Sequence, residues 1–202
     1  MRECGYKGLY VTDAQGFYNH LKKQTQLQEI KPLDACQREV VNRFCNRKAP
    51  WSVWGKIRAV KSFVKEMIKT GLIPQVKVKI RLGGKGIASM LDEGKIVFYR
   101  RFLISQPYHE NVLAVLHEVA HIVLWASDEY QALKKCDLEF INGYVKDVGQ
   151  TVITPIEYYA NVISISWLKS VISEDQNPQR AKLLIEQIER LEEKLNIAKE
   201  KI

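Results

Sequence analysis

The chain has 202 residues, of which 46% are hydrophobic and 27% charged, and it carries a net charge of +8. That length suits one domain with additions, and the apolar fraction is ample for a packed core, which argues against a disordered chain. No run approaches the roughly 18 uncharged apolar residues of a membrane span, residues 1–4 lead into no apolar signal segment, and Cys4, Cys36, Cys45 and Cys136 show no Cys-x-x-Cys spacing. A cytoplasmic protein with reduced thiols is the expectation.

Charge is unevenly distributed. Residues 1–80 hold 16 basic and 6 acidic side chains, leaving 15 and 17 to the remainder, so a half of +10 and a half of −2 make up the total. Within the basic half, residues 33–47 read as a helix with Val40, Val41 and Phe44 inward. Residues 53–69 read as another, burying Ile57, Val60, Val64, Met67 and Ile68, with Lys56, Arg58, Lys61, Lys65 and Lys69 on its other faces. Trp51 and Trp54 are expected to be packing anchors. Clustered lysines can neutralise phosphates, so nucleic-acid contact through this half stands beside the plainer reading of a solvated face. No helix-turn-helix signature joins the two helices, since the link at residues 48–51 lacks a turn glycine.

Residues 76–82 alternate apolar and basic side chains as a half-exposed strand does, and residues 95–99 form a second apolar strand. Gly83, Gly84, Gly86 and Gly94 supply turn chemistry between them, leaving residues 87–91 as a short strand in the middle of the segment. A small antiparallel sheet is the expected result.

The strongest chemical signal follows. His117-Glu118-Val119-Ala120-His121 has the His-Glu-x-x-His spacing of zinc-dependent hydrolases. Val112, Leu113, Leu116, Ala120, Val123 and Leu124 recur at helical steps around it, with Pro107 in a first turn and Ser105 before it as cap. Positions i and i+4 share a helix face, so both imidazoles can address one metal ion, and Glu118 beside them is a candidate general base. A helix burying these polar groups needs a partner for them, and a metal supplies one. The plainer reading is a helix whose histidines are hydrogen-bonded or solvated.

Catalytic zinc usually takes three protein ligands. His20 is remote in sequence, and His109 lies two turns before His117, roughly 12 Å along a helix axis. The best third ligand is Glu157, which opens a second apolar helix within Thr154-Pro155-Ile156-Glu157. The same residues also fit a capping box, with Thr154 as the cap. Asn161, four residues on, favours the ligand reading, because its side-chain oxygen could accept the N–H of a zinc-binding ring. Glu129 and Glu139 are the reserves.

His117-Glu118-x-x-His121 followed by Glu157-x-x-Ala160-Asn161 resembles the glutamate zincins, particularly the ImmA/IrrE-type metallopeptidases, over roughly residues 76–170. Arg100-Arg101-Phe102 resembles the basic and aromatic run that precedes their active-site helix. The resemblance implies zinc held by His117, His121 and Glu157, with Glu118 activating water. It also implies cleavage of a protein substrate, typically a transcriptional repressor of a mobile element or stress circuit. An oxyanion donor is needed as well, with Tyr108, Tyr130, Tyr158 and Tyr159 as candidates.

Past Asn177-Pro178, Leu184, Ile188, Leu191, Leu195, Ala198 and Ile202 form a short heptad seam, which suits either folding back or homodimerisation. The expected architecture is α+β: a basic helical extension over 1–75, a minimal zincin-like domain over 76–172, and an amphipathic helix over 173–202. The alternative function is a non-enzymatic module binding nucleic acid or protein, with a structural or degenerate metal site.

Overall fold

In a computed structural model, residues 9–11, 32–46, 52–81, 88–91, 94–100, 103, 108–127, 134, 145–147, 155–172 and 178–200 are described. They form β1 (Leu9–Val11), α1 (Ala35–Cys45), α2 (Val53–Lys69), β2 (Lys77–Arg81), β3 (Ala88–Leu91), β4 (Lys95–Tyr99), α3 (Tyr108–Trp125), β5 (Val145–Asp147), α4 (Pro155–Ile172) and α5 (Pro178–Glu200). Among these, no helix is long and apolar enough to cross a membrane.

The two N-terminal helices begin where side chains can satisfy their free amides. Asp34 accepts from Gln37 N at 2.8 Å while the Gln37 side chain accepts from Asp34 N at 3.0 Å, a reciprocal cap. Ser52 Oγ accepts from Gly55 N at 3.0 Å at the start of α2. The expected inward residues Val40, Val41, Phe44, Ile57, Val60, Val64 and Met67 are buried, and Phe44 stacks on Phe63 with centroids 4.2 Å apart. Ile68 is only half-buried. Lys56 is also half-buried, and burial lowers the pKa of its ammonium. Trp54 departs from expectation: it is 67% exposed, so it anchors no core, while Trp51 lies outside the described residues.

The expected antiparallel sheet is corrected by the strand order β2-β4-β3. β4 pairs antiparallel with β3 but parallel with β2, in the register Lys77↔Lys95 to Arg81↔Tyr99. The reason lies in β4 itself. Ile96, Val97 and Phe98 are consecutive and fully buried, a run that only a central strand covered on both faces can hide. β2 alternates exposed Lys77, Lys79 and Arg81 with half-buried Val78 and Ile80, as befits an edge. A second pairing, β1 with β5 antiparallel, has no sequence-based expectation behind it, because three-residue strands carry too little alternation to recognise.

One buried cluster unites the three expected segments. It runs from Val41 and Val60 through Phe98, Leu116 and Val119 to Leu168 and Leu184. α5 therefore folds back, burying Leu184 and Ile188 while Leu183 and Ile185 stay exposed. The most extensive helix contact is α3 on α4, and α1 also packs on α4. Phe98→Ala, at the centre of the sheet, is expected to cost about 3–5 kcal/mol, read as a lowered midpoint in urea denaturation.

Candidate metal centre

α3 is apolar almost all round, burying Val112, Val115, Leu116, Val119, Ala120, Ile122 and Leu124, so it lies deep in the core. His117 and His121 sit one turn apart on the arc that this packing leaves. α4 opens at Pro155, a residue suited to a first helical position, and Glu157 lies in its first turn. A carboxylate there is favoured by the positive end of the helix dipole. The close packing of α3 on α4 then brings together groups forty residues apart in sequence.

Three ligand-type side chains converge. His117 Nε2 is 3.0 Å from His121 Nε2 and 3.1 Å from Glu157 Oε2, and His121 Nε2 is 3.3 Å from the other carboxylate oxygen, Glu157 Oε1. The two rings stand perpendicular, with centroids 4.6 Å apart. Tetrahedral zinc with bonds of about 2.0–2.1 Å spaces its ligand atoms roughly 3.3 Å apart, so contacts of 3.0–3.3 Å between these side chains need only slight adjustment to hold such an ion. Two imidazole nitrogens and a carboxylate are also a donor set that zinc accepts. The imidazoles keep 19% and 12% side-chain exposure against 44% for Glu157, which leaves a solvent-facing position on the glutamate side. Among the described residues these are the one group of histidine, cysteine and carboxylate side chains arranged to hold a metal.

The two carboxylates are perturbed in opposite directions. Burial pushes Glu157 up, but hydrogen bonds from His117 and His121, with the attraction of both rings, outweigh it and hold the carboxyl well below the usual range. Burial raises Glu118, opposed by His121 and His117 and reinforced by the negative charge of Glu157. Glu118 therefore stands in the same electrostatic field as His117, His121 and Glu157.

Both oxygens of Glu157 face imidazoles, which favours the ligand role over the cap; Thr154 lies outside the described residues. Asn161 makes a different contact from the one expected. Its amide donates to the Glu157 carbonyl at 2.8 Å, within its own helix. His117 Nδ1 is buried with no hydrogen-bond partner among the described residues, so the Nε2 side orients that ring. Tyr158 and Tyr159 pack edge to face against each other and against the core cluster. His20, Glu129, Glu139 and Tyr130, together with the side chains of His109 and Tyr108, fall outside the description. Arg101 and Phe102 do so too, whereas Arg100 lies 5.9 Å from the Trp54 ring centroid.

In comparisons with known proteins, no family model, curated protein or solved structure matches the chain.

Proposed function

We infer that this protein is a zinc-dependent peptidase of minimal zincin architecture, with His117, His121 and Glu157 as ligands and Glu118 as general base. The observation that carries the reading is the convergence of the Glu157 carboxylate on both imidazole Nε2 atoms. The resemblance of the two motifs to ImmA/IrrE-type metallopeptidases supports it.

A bound zinc ion supplies an acidified water and polarisation of the scissile carbonyl. The chain's own residues do the rest. Glu118 takes a proton from the attacking water and passes it to the leaving amine as the C–N bond breaks, work suited to a carboxyl raised by burial. Glu157, held ionised by its hydrogen bonds, keeps negative charge beside the imidazoles. Among the described strands β3 lies at an edge of its sheet and packs near α3, so that edge is the natural rail for an extended peptide held by main-chain hydrogen bonds. The substrate is an intracellular protein, and a transcriptional repressor is the class that the resemblance implies.

The test is metal stoichiometry by native mass spectrometry. About one zinc per wild-type chain is expected, with none retained by the His117→Ala/His121→Ala double variant. No zinc uptake by the wild type, even with zinc added back, would sink the reading and leave the histidine pair as structure.

A further inference from the structure

The solvent face of α2 carries a line of cations that the metal centre does not use. Trp54, Arg58, Lys61, Lys65 and Lys69 follow one another at steps of four, three, four and four residues, and all are exposed. At 3.6 residues per turn they fall within about 80° of the helix circumference, and Arg58 to Lys69 spans about 16 Å of its axis. Among the described residues none of the four cations is in an ion pair. The only carboxylate of α2, Glu66, lies off the line and is already engaged, by Arg43 at 2.8 Å and by Ser62 Oγ at 3.0 Å. At the N-terminal end, the Arg100 guanidinium sits 5.9 Å from the Trp54 ring centroid and adds a cation beside the line.

We propose that this stripe binds the phosphate backbone of duplex DNA, without reading base sequence. A rigid row of cations without ion pairs among the described residues matches a regularly repeating anion, and about 16 Å of duplex axis carries roughly five phosphates per strand. The row holds no asparagine, glutamine or carboxylate to read adenine or cytosine edges; its arginine and lysines, which can also reach guanine, follow at regular helical steps as contacts to a repeating backbone do, so its part is to position. Single-stranded nucleic acid is bound largely by several stacking aromatics, and here one indole stands among cations. Duplex RNA is recognised largely through its 2′-hydroxyls, and no side chain among Trp54, Arg58, Lys61, Lys65 and Lys69 has an oxygen to accept a hydrogen bond from one. A membrane surface is disfavoured because the apolar face of α2, with Ile57, Val60, Val64 and Met67, is buried in the core, which leaves the single indole of Trp54 to insert. The proposal stands apart from the metal centre, which lies on α3 and α4.

The test is fluorescence anisotropy of the full chain with a labelled 20-base-pair DNA duplex of arbitrary sequence, between 50 and 200 mM salt. Four phosphate contacts give a log–log slope of about −3.6, and Arg100 as a fifth about −4.5, so affinity falls on the order of a hundredfold or more over that range. Lys61→Gln and Lys65→Gln each reduce the slope by about one and the double variant by about two, with circular dichroism unchanged because both side chains are in solvent. Lys182→Gln, an exposed lysine on α5, leaves binding as it is. Binding that survives in the Lys61→Gln/Lys65→Gln variant with its slope intact overturns the proposal. So does tighter binding to a polyglutamate peptide, to anionic lipid vesicles, to single-stranded DNA or to duplex RNA than to duplex DNA.

Discussion

Replacing Glu118 by glutamine is expected to leave one zinc per chain and to lower kcat for peptide hydrolysis by about 10²–10⁴-fold. Glutamine keeps the shape and hydrogen-bonding reach of the side chain but cannot take a proton, so the loss falls on the chemical step while KM stays close to the wild-type value. Stability should move the other way. Burial raises the pKa of Glu118, so its favourable contribution is present at low pH and lost as pH rises through the folded-state value. An amide has no such transition, and the metal-free variant is expected to unfold at an equal or higher denaturant concentration at neutral pH. This pairing separates a base from a structural residue. Were Glu118→Gln both less stable and equally active, Glu118 would hold the fold together and the hydrolytic role would fall.

The residues of this candidate site are legible in the sequence to different degrees. The spacing of His117 and His121 is visible because a helix converts four residues into one face, and that geometry is local. α2 is equally plain: its expected span of 53–69 is the observed one, since apolar residues recur at helical steps along all of it. The pairing of Glu157 with the imidazoles is not local, for it depends on how α3 packs on α4. Sequence could offer only a chemical need for a third ligand and a helix start where a carboxylate is welcome.

The sheet differs from expectation for a related reason. Glycines at 83 and 94 are turn signals in the sequence, and turn signals suggest a meander, yet the order of strands in space is decided by which strand must be covered on both faces. Ile96, Val97 and Phe98 held that information as an unbroken apolar run, and alternation in residues 76–82 marked the edge. Trp54 misled in the opposite direction. An indole at the start of a helix looks like an anchor, but its position at the head of the Arg58, Lys61, Lys65 and Lys69 line puts it on the face turned away from the core. The expectation for Asn161 is a contact from its side-chain oxygen to a ring N–H; the contact seen is from its amide to the Glu157 carbonyl within its own helix.

Glu157→Ala carries the second large expectation, because it removes the carboxylate that α4 places against both imidazoles. Even the supporting partners of metal ligands are worth about 10–100-fold in affinity, so loss of the carboxylate itself should weaken zinc binding by more than about a hundredfold. Thermal denaturation turns this into a measurable shift. At a zinc concentration of about 100 times Kd, binding stabilises the wild type by about 2.7 kcal/mol, and a hundredfold weaker site leaves about 0.4 kcal/mol. For a chain of this size, zinc then raises Tm by about 5–10 °C in the wild type and by about 1 °C in the variant. The metal-free proteins should differ in acid. The folded-state pKa of Glu157 is lowered, so its contribution to stability is present above the ordinary carboxylate pKa of about 4.3 and disappears as pH falls through the folded value. Glu157→Ala lacks that contribution throughout, and its stability is expected to decline less steeply on acidification. A zinc-induced shift of equal size in both proteins would mean that Glu157 is no ligand, and that the hydrogen bonds from His117 and His121 serve only to fasten α3 to α4.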